Sequence, residues 1–94
     1  MEVFNNKESN RANINPFFYI LTKVKAYHNG EEPETSILRV SSDKGRCITE
    51  QTYQAESSGY ADQAHWQGDV VRWEDDDQNA LIILEIHKVS WLGQ

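Results

Sequence analysis

Two segments of this chain are apolar on both alternating faces for part of their length, and that restricts its fold more than any other feature. From Phe17 to Tyr27 the even positions read Phe18, Ile20, Thr22, Val24 and Ala26. The odd positions read Phe17, Tyr19, Leu21, Lys23, Lys25 and Tyr27, so one face turns polar after Leu21. From Ala80 to Leu92 the even face begins Ala80, Ile82, Leu84 and Ile86. The odd face begins Leu81 and Ile83, then passes through Glu85 and His87 to Val89 and Trp91. A period of two with β-branched and aromatic residues marks strands. Strands that are apolar on both sides belong in the interior of a covered sheet. The two segments are therefore expected side by side in the middle of the domain.

Shorter elements lie between them. His28-Asn29-Gly30 opens a loop that runs through Glu31, Glu32 and Pro33. A strand is expected from Thr35 to Ser41, on Ile37, Leu38 and Val40. Ser42-Asp43-Lys44-Gly45 reads as a turn, and Arg46 to about Thr52 reads as a third strand pairing back on the second. Residues 53–68, YQAESSGYADQAHWQG, are the least periodic, and Ser58 could cap one short helix near residues 58–66. Asp69 to Trp73 reads as a strand and Glu74 to Asn79 as a polar turn. The fold class expected is mainly β: a small antiparallel sandwich or barrel of about five strands. Residues 1–15 are rich in Asn, with Met1, Val3, Phe4 and Ile14 as their large apolar groups. They are expected to be a flexible N-terminal arm, with Val3 and Phe4 able to add an edge pairing, before a single β-rich domain over 16–94.

Charge and composition narrow the function classes. Nine basic against 15 acidic residues give a formal charge of −6, which opposes contact with nucleic-acid phosphates or an anionic membrane, suits plain solubility and allows a basic protein partner. With 38% apolar residues the core is thin, which leaves room for pairing with a second copy as a homodimer. No apolar run reaches the roughly 20 residues that span a bilayer. The single cysteine, Cys47, precludes an internal disulfide and suits a reducing, cytoplasmic setting with a buried thiol.

Chemistry-bearing patterns are sparse. Asp75-Asp76-Asp77-Gln78-Asn79 starts like a calcium loop, but Ala80 and Ile86 occupy the positions where such a loop needs Gly and Glu. His28, His65, His87 and Cys47 fall in no paired metal-ligand spacing. Glu85 and His87 share a strand face, which permits an acid–base pair and equally a surface charge pair. No metal, no cofactor and no catalytic residue is assigned. The aromatics are more telling. Tyr53, Tyr60, Trp66, Trp73 and Trp91 gather in the second half. Either Tyr60 and Trp66 fold over the core, or they stand exposed as interface anchors.

The sequence thus points to a non-enzymatic protein–protein interaction module: an inhibitor, immunity protein or mobile-element accessory factor. Its partner surface is expected to set Tyr60 and Trp66 inside an acidic rim of Asp62, Asp69, Asp75, Asp76 and Asp77. The alternative is a small-ligand or carbohydrate binder using a barrel mouth or an aromatic platform.

Overall fold

The computed structural model describes residues 16–90. Five strands form one antiparallel sheet: β1 (Phe17–Tyr27), β2 (Glu34–Ser41), β3 (His65–Gln67), β4 (Val70–Asp75) and β5 (Ala80–Ser90). A helix, α1 (Lys44–Glu56), joins β2 to the second half, and a short 3-10 turn covers Ala61–Gln63. The sheet order is β2-β1-β5-β4-β3. The two segments with doubly apolar stretches are neighbours, as their patterns require. They pair along their whole length, from Phe17 opposite Ser90 to Tyr27 opposite Ala80. The expectation of a mainly β, antiparallel domain of about five strands holds. The strands lie in a single sheet with edges at β2 and β3, and the second layer is a helix. Residues 1–15, including Val3 and Phe4, lie outside the described residues, as do Trp91 and Leu92.

One expectation is overturned. Arg46 to Thr52 is not a strand but the body of α1. The Asp43 side chain caps the helix by accepting from the Gly45 N–H at 2.9 Å, and the Ser41 hydroxyl accepts from the Asp43 N–H at 3.0 Å. Cys47, Gln51 and Ala55 then recur every four residues and form its buried stripe. The stripe is small and partly polar, so it gives little apolar periodicity. The helix ends where the Ser57 N–H and hydroxyl both donate to the Tyr53 carbonyl, and Gly59 takes a positive φ of 89°. The short helix expected near 58–66 is reduced to the 3-10 turn, and the rest of that stretch supplies β3.

The core lies between α1 and one face of the sheet. Register sets that face: Leu21 of β1 stands opposite Ile86 of β5, and Leu84 and Ile82 of β5 stand opposite Val71 and Trp73 of β4. All of these are buried, with Cys47 and Ala55 from the helix and Ala80 from β5. Each fully buried Leu, Ile or Val contributes about 1.5–3 kcal/mol. Tyr60 and Ala64 pack against the same cluster. Among the described residues no helix is long and apolar enough to cross a membrane.

Candidate interaction surface

The core uses one face of the sheet, and the other is also apolar. The cross-strand pairs place Ile20 beside Val40, Thr22 beside Ile37, Val24 beside Ile83 and Ala26 beside Leu81. Those positions alternate with the buried ones along β1 and β5, so they point the opposite way. Along β5 the buried residues Ala80, Ile82, Leu84 and Ile86 alternate with half-buried Leu81, Ile83 and Glu85. Both α1 and residues 58–64 lie on the core side. None of the described elements packs over the open face. There Ile37 is 63% exposed and Val40 54% exposed, the most accessible aliphatic side chains in the described chain. At one corner Phe18, Val40, Ser41 and Ser42 line an apolar hollow of about 370 Å³.

Polar groups on this face are largely matched among themselves. The His87 Nε2 lies 3.0 Å from the Thr22 hydroxyl, which donates to the Glu85 carbonyl at 3.4 Å. The Glu85 carboxylate lies 4.0 Å from the same His87 nitrogen. A hydrolytic triad needs its carboxylate on the imidazole nitrogen remote from the nucleophile. Here hydroxyl and carboxylate face one nitrogen. Near the β4 end, His28 and Glu74 form a 2.6 Å pair.

The surface expected from the sequence divides into two. At one end of β4, the Tyr60 hydroxyl donates to the Asp77 carboxylate at 3.1 Å and accepts from the Asp77 N–H at 3.2 Å. Partial burial raises the Tyr60 pKa above its ordinary value, the Asp77 N–H opposes the rise, and the bond to the Asp77 carboxylate with the Asp77 and Asp75 charges adds to it. Tyr60 thus holds the β4–β5 turn against the core. Asp75 is buried, and its two carboxylate oxygens accept from the main chain and side chain of Gln78. Asp76 and Asp77 are exposed, as is Asp62 in the 3-10 turn. At the other end, Asp69 pairs with Lys44 at 2.9 Å. Trp66, opposite Val71 on β3, is 47% exposed. The six residues of β4 separate the ends by about 17 Å. Of the expected anchors, only Trp66 stands out from the surface, and the acidic groups form two clusters instead of one rim.

The sequence reading missed the open face as a working surface. The signal was present in the doubly apolar stretches of β1 and β5, which were read as covered on both sides.

Other features offer less. Arg39, Asp43, Arg46, Thr49 and Glu50 border a hollow of about 470 Å³ whose lining carries both signs of charge, and Arg46 lies 3.9 Å from Asp43. Cys47 is buried in α1 and its thiol donates to the Tyr19 carbonyl at 3.7 Å. Burial raises the thiol pKa, Arg39 opposes the rise and Asp43 adds to it. Among the described residues no three His, Cys, Asp or Glu side chains gather to hold a metal ion. Compared with known proteins, the chain matches no family model, no curated protein and no solved structure.

Proposed function

We propose that this chain is a non-enzymatic protein-interaction module that works through the open face of its sheet. The carrying observation is that Ile37 and Val40 stand exposed, with half-buried Ile20, Val24, Leu81 and Ile83 on the same face, on the side that α1 leaves uncovered. Contiguous apolar patches of this kind mark association surfaces in folded proteins, whereas singly exposed aliphatic residues do not. A second surface, centred on half-exposed Trp66, is the remaining support for an aromatic contact to a protein or a sugar.

Capture from the native lysate separates the two surfaces. Ile37→Lys with Val40→Lys changes the open face without touching the core. That variant is expected to lose the proteins that the parent chain retains, while Trp66→Ala with Asp76→Lys keeps them. The reverse pattern transfers the function to the Trp66 side and overturns this reading.

A further inference from the structure

We infer that the occupant of the open face is a second copy of this chain, packed sheet against sheet. The inference rests on the reading of that face as an interaction surface and names its partner.

Area is the first argument. Strands of 11, 8, 3, 6 and 11 residues, at about 3.3 Å per residue and about 4.8 Å between strands, pave roughly 600 Å² of sheet plane. Two such faces in full contact remove at most roughly 1,200 Å² from water, where the range of specific stable interfaces begins.

Charge is the second argument. The chain is acidic overall, but this face is only weakly so. Glu85 lies beside His87 and Glu74 pairs with His28, while Arg72 adds a positive group. Two carboxylates against one guanidinium are a small part of the chain's charge of −6, so two copies can approach through this face without strong repulsion.

Layout is the third. The β2, β1 and β5 strands carry the aliphatic residues of the face around the Thr22, Glu85 and His87 group, and β4 and β3 carry Arg72, Glu74, His65 and Gln67. A two-fold axis lying in the interface and crossing the strands sets β1 over β1. It stacks the aliphatic half on its own image and the polar half on its own image, as an isologous contact requires. The product is a ten-stranded sandwich with α1 on each outer surface.

Sedimentation velocity on the purified chain tests this. The parent should sediment as a species of twice 10.9 kDa at tens of micromolar. Ile37→Lys with Val40→Lys should dissociate it at least about tenfold more easily. Both side chains are already exposed in one copy, so the variant keeps its fold, and circular dichroism verifies that. Isotope-filtered NMR on a mixed sample should show contacts between copies among the methyl groups of Ile20, Val24 and Ile83. A parent that stays monomeric at about 100 µM overturns the second copy; if Ile37→Lys with Val40→Lys still abolishes lysate capture, the interaction surface itself stands. A dimer that survives the double substitution, with contacts along the β2 or β3 backbone, also overturns it.

Discussion

The side-chain amide of Gln51, in the middle of the helix, donates to the main-chain carbonyl of Leu84 in the central strand, 3.2 Å away. Its other N–H serves the Asp69 carbonyl at 2.9 Å. Gln51 is 2% exposed, and its bond to Leu84 is shielded from water while that to Asp69 is partly so. They tie α1 to the central strand and to the β3–β4 turn and set where the helix lies. Gln51→Leu keeps the bulk and removes both donors. The Asp69 carbonyl keeps a second donor, the Ile86 N–H at 3.1 Å, so the loss is that of two ordinary hydrogen bonds at about 0.5–1.5 kcal/mol each, and the variant should unfold at lower urea. Unchanged stability would mean that these bonds do not hold the helix in place.

Trp73 presents the opposite situation. Its indole N–H is buried and has no acceptor. An unmet donor carries a desolvation penalty of about 1–3 kcal/mol. Trp73→Phe removes that donor together with part of the ring. The two effects oppose each other, so the substitution should cost under about 1 kcal/mol, against the several expected for an ordinary large-to-small change in a core. A loss of about 3 kcal/mol or more in chemical denaturation would show that lost packing outweighs the relief of the unmet donor.

The fold was legible where side-chain periodicity carries the information. β1 and β5 pair along eleven positions because both alternate apolar residues and both continue that pattern across their two faces. α1 was illegible for a physical reason. Its buried stripe is Cys47, Gln51 and Ala55, a thiol, an amide and a methyl, and the intervening Ile48 and Thr52 are β-branched and suggest a strand. The capping aspartate decides the matter, and in sequence it resembles a turn residue. The candidate surface shows the same limit. Aromatic and acidic residues between 53 and 79 are close in sequence, but β4 carries Asp69 and Asp77 to opposite ends. The open face is assembled from β1, β2 and β5, and only their register brings Ile20, Val40 and Ile83 onto one plane.

The N-cap that displaced the expected third strand can be tested directly. Asp43→Ala removes the acceptor for the Gly45 N–H and the exposed contact to Arg46. The exposed ion pair is worth little, so the cap dominates. Stability should fall by about 1 kcal/mol, within the usual range of about 0.5–2, and Asp43→Ser or Asp43→Asn should restore most of it. Hydrogen exchange should rise first at the amides of Gly45 and Arg46. Equal losses for Ala, Ser and Asn would assign the effect to charge instead of capping.

High pH should destabilise the domain in two steps. The folded state holds Cys47 above an ordinary value of 9.0 and Tyr60 above an ordinary value of 10.0. Each group stays protonated in the folded chain after the unfolded chain has begun to ionise, so the folded state binds more protons. Their contribution is complete below the unfolded values and is lost as pH rises through the folded ones. Stability from these two groups is therefore flat near neutrality, declines from about pH 9 through Cys47 and steepens above about pH 10 through Tyr60. The Tyr60 step has an identifiable cause, since a phenolate would lose its bond to Asp77 and face that carboxylate and Asp75. Cys47→Ala should remove the first step and Tyr60→Phe the second, each read as the change in unfolding midpoint between pH 8 and about pH 11. The same protection predicts that iodoacetamide alkylates Cys47 far more slowly in the folded chain than in urea. Fast alkylation of the folded chain, or alkaline slopes that persist in both variants, would show that these two groups do not govern the alkaline limit.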